Sequence, residues 1–149
     1  ETGTFHGTMI ASVKNHFDKI ISVELDENLF QKATDRSKND NHIAIINGDS
    51  GKVLKDVIRD IAEPAIFWLD GHFSGGETAR GESNTPIMQE LEVVLQRTQK
   101  DVILIDDARL FDGTDGYPTI PYLSNFVHDK KSGNSFKIKD DIIRLYPSN

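Results

Sequence analysis

Short apolar runs alternate with segments of helical period along the whole chain. Residues 19–24, Lys-Ile-Ile-Ser-Val-Glu, form a β-branched run that closes on an acid. Residues 42–46 form a second run, ending at Asn47-Gly48-Asp49, and residues 65–70 a third, Ala-Ile-Phe-Trp-Leu-Asp. A fourth, Val102-Ile103-Leu104-Ile105, is followed at once by Asp106 and Asp107. Runs this short and this apolar, bounded by polar residues, read as buried parallel strands. Between them, Met9, Ile10, Val13 and Phe17 recur at helical spacing, predicting a helix over 8–17. Further helices are expected over 27–38, over 51–62 with Ser50 as cap, and over 86–97 with Thr85 as cap and Pro86 in first position. A last helix is expected over 120–129. Residues 135–146 read as two strands around Asp140-Asp141, a hairpin.

This alternation predicts an α/β domain: a Rossmann-like, doubly wound, mostly parallel sheet with helices on both faces and a C-terminal antiparallel hairpin at its edge. The 149 residues are the size of one domain, 1–149, and contain no internal repeat, low-complexity tract or linker. Composition narrows the chemistry. Without cysteine there is no disulfide, thiolate zinc site or cysteine nucleophile. That fits a reducing, cytoplasmic setting. No apolar run approaches the roughly 20 residues needed to cross a bilayer, and no secretory signal opens the chain, so no membrane partner is expected. The net charge of −7 argues against a nucleic-acid backbone as the main partner, with a local basic patch still open.

The candidate chemistry collects where the strands end. In open α/β sheets the ligand crevice lies outside the carboxyl ends of the strands. If the strands ending at Asp70 and Asp106-Asp107 are neighbours, three carboxylates and His72 meet there. Carboxylates so close repel one another unless a proton or cation joins them, and a hard divalent ion with oxygen ligands answers that need. His72 follows Asp70 by two positions and titrates near neutrality, which suits a base for a substrate hydroxyl; it reads equally as an exposed loop histidine, and a metal-ligand role is also open. Glu1-Thr2-Gly3-Thr4-Phe5-His6-Gly7 precedes the first helix, with two glycines that permit a tight turn and close approach of a ligand. Glu24 ends the next strand 21 positions after Gly3, where nucleotide-binding α/β folds hold ribose hydroxyls. Asn47-Gly48-Asp49-Ser50 lies beside the same crevice, suited to an adenine contact.

Each of these residues also has a plain structural reading. Asp70 could cap a turn, Asp107 could pair with Arg109, and Asn47-Gly48-Asp49-Ser50 could be a turn plus a helix cap. Arg80 and Arg109 read as anchors for an anionic acceptor or as partners of Glu77, Glu82 and Asp112. His6, His16, His42 and His128 fit no ligand spacing and read as surface residues, and Phe67 and Trp68 as core. The long, glycine-containing loop 73–84 reads as a lid over substrate. Loops 71–84 and 111–118 are expected to set substrate choice.

Taken in order, these motifs resemble class I S-adenosylmethionine-dependent methyltransferases. Residues 1–7 look like the end of the first glycine motif, Ser-Val-Glu-Leu-Asp (22–26) like the ribose motif and Asn47 to Ser50 like the adenine motif. Trp-Leu-Asp-Gly-His (68–72) and Leu-Ile-Asp-Asp-Ala-Arg (104–109) resemble the strand ends of metal-dependent O-methyltransferases of the macrocin and catechol types. The resemblance implies S-adenosylmethionine held by Glu1, Gly3, Gly7, Glu24, Asp49, Ser50 and Asp70. It implies magnesium held by Asp70, Asp106 and Asp107, with His72 and Asp70 catalytic on a small-molecule hydroxyl. It also implies a first strand, absent from these residues, ahead of Glu1 in the middle of the sheet. The gap is expected to leave the cofactor pocket incomplete, to bring the strands of Glu24 and Asp70 together, or to be filled by another segment. An unfilled position would favour a homo-oligomer. Two other classes remain open: a non-catalytic or degenerate nucleotide-binding module, and a metal-dependent hydrolase using the aspartates.

Overall fold

The structure, a computed structural model, describes residues 1–72 and 84–148. Its strands are β1 (Ile20–Glu24), β2 (Ile43–Asn47), β3 (Ile66–Leu69), β4 (Val102–Ile105), β5 (Asn134–Lys139) and β6 (Ile142–Pro147). Its helices are α1 (Thr8–Val13), α2 (Glu27–Ser37), α3 (Ser50–Ile58), α4 (Ile87–Val94) and α5 (Ile120–Lys130). β1 pairs parallel with β2, and β3 parallel with β4. β6 then runs antiparallel between β4 and β5. The hairpin turns on Asp140 and Asp141, both at positive φ (55° and 62°), the twist that two-residue hairpin loops require. The expected mixed α/β sheet is therefore present.

The two halves of the sheet meet at one residue. Thr2 bridges Val23 of β1 on one side and Leu69 of β3 on the other, parallel to both. Its amide donates to the Trp68 carbonyl at 2.9 Å, and its own carbonyl accepts from Asp70 N at 3.2 Å. So β1 and β3 do not pair directly: the segment Glu1 to Gly3 stands between their carboxyl ends. Further back, between Ile21 and Val23 on one side and Ile66 and Phe67 on the other, lies a cavity of about 470 Å³. Ile66, which faces it, is 50% exposed despite its strand position.

The main core packs α3, α4 and α5 on β3, β4 and β6, with Leu91, Val94, Leu123, Ile143 and Leu145 inaccessible to solvent. Phe67 belongs to it, and Trp68 is half-buried. Several helix ends differ from expectation for local reasons. The first helix stops at Val13 and tightens into a 3₁₀ turn over Lys14–His16. There the Lys14 carbonyl is bonded to His42 Nε2 at 3.0 Å and its ammonium to Asp40 at 2.8 Å, contacts invisible to helical periodicity. The helix expected over 51–62 begins with Ser50, because Asp49 rather than Ser50 caps it by accepting from Gly51 N at 3.0 Å. Pro86 occupies the cap position of α4, and Thr85 Oγ1 accepts from Ile87 N at 3.3 Å. Among the described residues no helix is long and apolar enough to cross a membrane.

Candidate functional site

The glycine turn crosses the sheet where its two halves meet. Gly3 has φ +78°, and a Cβ there would lie 2.2 Å from the Asp70 carbonyl oxygen, so only glycine fits. Phe5, at φ 49°, continues the turn, and Gly7, at φ 68°, opens α1. Glu24 closes the turn from the side: its carboxylate accepts from Phe5 N at 2.7 Å and Asp26 N at 2.9 Å. Glu24 is 6% exposed, so the sheet fixes its carboxylate at the turn. Glu1 faces Ser22, whose hydroxyl donates to it at 2.7 Å, and burial pushes its carboxyl pKa up.

The third strand end stands beside them. Asp49 caps α3, and the Ser50 hydroxyl donates to Glu90 at 2.6 Å. Glu90 is 1% exposed and burial raises its pKa. Sequence reading passed over Glu90, although its place within the apolar stripe Ile87-Leu91-Val94 is a detectable signal.

Parallel pairing of β3 with β4 brings Asp70, His72 and Asp107 together at one strand-end edge. His72 lies between two aspartates, with Nδ1 3.0 Å from Asp70 and Nε2 3.2 Å from Asp107. With both ring nitrogens facing carboxylates, the imidazolium satisfies both. The Asp70 hydrogen bond, helped by the charges of Asp70, Asp107 and Asp106 and opposed by burial, raises the His72 pKa above its ordinary value. Asp107 reaches His72 because its backbone reverses at φ 55°, a left-handed conformation that aspartate tolerates. Its other oxygen takes Arg109 at 2.6 Å, and Arg109 also pairs with Asp141. The plain reading of Asp107 with Arg109 and the site reading thus hold together.

Asp106 behaves differently. Its carboxylate accepts from Asp107 N at 2.9 Å, and burial raises its pKa. Ligand atoms of Asp70, His72 and Asp107 lie within 4.8 Å of one another, a group that could hold a metal ion; Asp106 falls outside it. Two carboxylates and an imidazole suit a divalent ion, and the imidazole favours manganese or zinc more than magnesium. Of the other histidines, His16 and His128 are exposed, and His6 and His42 are half-buried. The expected lid falls, apart from Asn84, on 73–83, outside the described residues, together with Glu77, Arg80 and Glu82.

No protein-family model and no curated protein matches the chain in sequence. Solved structures match its fold. The methyltransferase PaMTH1 of Podospora anserina, solved with SAH bound, is 13% identical, with 99% of this chain on 70% of that one and a TM-score of 0.59. The N-methyltransferase NodS of Bradyrhizobium japonicum is 10% identical, over 99% and 84%, at 0.62. An rRNA methylase of Streptococcus thermophilus is 13% identical, over 98% and 83%, at 0.56. The chain therefore has the Rossmann-like fold of class I methyltransferases, a fold shared by an N-methyltransferase and an rRNA methylase.

Proposed function

We propose that this chain is an S-adenosylmethionine-dependent methyltransferase domain acting on a hydroxyl of a small molecule. The observation that carries the reading is the placement of the Asp70–His72–Asp107 cluster immediately beside the turn Gly3 to Gly7, at the same strand-end edge as Glu24. In this reading Gly3 and Gly7 let the cofactor approach the backbone, and Glu24 accepts from its ribose hydroxyls. Asp49 and the backbone of Ser50 border the adenine, while Glu1, engaged with Ser22, braces the turn from below. Asp70, next to Gly3, borders cofactor and acceptor alike.

Methyl transfer is a direct displacement, so positioning supplies much of the rate. The cluster positions an acceptor oxygen and takes its proton. Asp70 and Asp107 hold the charged His72 ring by both nitrogens; when neutral, the ring keeps its N–H on one aspartate, and the other nitrogen, released from its carboxylate, accepts the hydroxyl proton. With a divalent ion instead, Asp70, Asp107 and His72 would hold it, and the ion would lower the pKa of the acceptor hydroxyl in place of the His72 base. Asp106 supports the site by fixing the backbone of Asp107.

Calorimetric titration of S-adenosylhomocysteine, with and without Mg²⁺ or Mn²⁺, tests the reading. Micromolar binding to the wild type, lost in Glu24→Ala, is expected. Absence of binding under every condition would sink it in favour of a nucleotide-binding module without methyl transfer. Hydrolytic turnover dependent on metal and indifferent to S-adenosylmethionine would favour a hydrolase.

A further inference from the structure

Tyr117 lies in the 111–118 loop that follows β4, pinned by an edge-on contact with buried Phe111 at 5.3 Å. Its ring also stands edge-on to His72, centroids 6.5 Å apart. With Asp70, Gly71, His72 and Asp106 it lines a cavity of about 10 Å³, room for a single oxygen-sized atom. The Tyr117 hydroxyl is shielded from solvent and has no hydrogen-bond partner among the described residues. A buried O–H without an acceptor is costly, and such groups call for an explanation. A phenol is protonated at neutral pH, so the Tyr117 hydroxyl is a donor there.

The neighbouring cluster needs such a donor. Asp70 and Asp107 can only accept while ionised. As an acceptor hydroxyl loses its proton, those carboxylates repel the charge that develops on its oxygen. A neutral phenol stabilises that charge without taking the proton. We propose that Tyr117 contacts the substrate directly, its O–H donating to the acceptor oxygen seated against Asp70, His72 and Asp107. Tyr117 thereby selects an oxygen nucleophile at the centre. This rests on the reading of the cluster as the acceptor site.

The test compares wild type with Tyr117→Phe, using 4-nitrocatechol as a chromogenic phenol titrated by absorbance in the presence of S-adenosylhomocysteine. Losing one hydrogen bond to a charged oxygen should weaken the phenol about tenfold. S-adenosylhomocysteine affinity, read by calorimetry, should not change. The melting temperature of Tyr117→Phe should equal or exceed that of the wild type, because no acceptor among the described residues loses a partner. Equal 4-nitrocatechol affinity in the two proteins overturns the proposal. So does a fall in melting temperature of more than about 4 °C, roughly the effect of 1–2 kcal/mol at this size, which would make the hydroxyl a support of the fold. If the wild type binds S-adenosylhomocysteine but no 4-nitrocatechol, the proposal fails and the cofactor reading stands. If it binds neither, both fall.

Discussion

A methyl group at Gly3 would strike the backbone at the end of β3. The ideal Cβ lies 2.2 Å from the Asp70 oxygen, so about 0.8 Å must be opened before the contact reaches 3.0 Å. The atom that must move is main chain, fixed on both sides of the junction. Opening it strains the bonds Thr2 N to Trp68 O and Asp70 N to Thr2 O, worth about 1 kcal/mol each. The left-handed backbone at φ +78° adds about 1–2 kcal/mol for any residue with a side chain. Gly3→Ala should therefore cost about 3–4 kcal/mol, a fall in melting temperature of about 6–16 °C for a domain of this size. Gly7→Ala is the control. It shares a left-handed φ, +68°, but its Cβ meets nothing within 4 Å, so only the conformational part, about 1–2 kcal/mol, should appear. Thermal denaturation followed by circular dichroism measures both. Equal melting temperatures for the two variants would refute the argument that Gly3 is required by contact with β3.

Three further outcomes follow from the site and its surroundings. Because the folded His72 pKa is raised above 6.5, its ion pairing should stabilise fully below pH 6.5 and be lost as pH rises through the raised value. His72→Gln should thus cost more stability near pH 6 than near pH 9, and a cost independent of pH would contradict the pairing. Mn²⁺ binding, followed by water-proton relaxation, should weaken at least tenfold in Asp107→Asn and much less in Asp106→Asn, since only Asp107 belongs to the cluster; the reverse order would restore Asp106 as the ligand. Arg97 and Asp101 pair in the interior at 2.8 Å, with Arg97 also donating to the Ile61 and Glu63 carbonyls. Arg97→Met should cost about 3–5 kcal/mol in urea unfolding, and a loss below about 1 kcal/mol would show the pair to be dispensable.

The sheet was legible because its information is local. An apolar run such as Val102 to Ile105 has few other places to go, and its carboxyl end names the crevice edge. The gathering of Asp70, His72 and Asp107 was legible in outline, since it needed only that β3 and β4 be neighbours. The choice between Asp106 and Asp107 was not. It depends on one left-handed residue, Asp107, which turns its carboxylate to His72 while Asp106 caps the turn. Nothing in two consecutive aspartates says which will bend. Helix ends were similarly hidden, because Asp49 and Ser50 are both good caps and the choice was made by Glu90, 40 positions from Ser50. The Tyr117 hydroxyl was invisible for the same reason: its neighbours come from β3, β4 and α4.

The junction at Thr2 has a mechanical consequence. Thr2 fastens β1 to β3 at the ligand edge, and α3, packed against β1 and α4 and sharing the core with β3, ties the same two halves from the side. Any molecule that touches the Gly3 turn and Asp70 together spans this junction and braces it. Amide exchange at Val23 and Leu69 should then slow in step when such a molecule binds, so that one spectrum reports both the seating of the ligand and the stiffness of the fold.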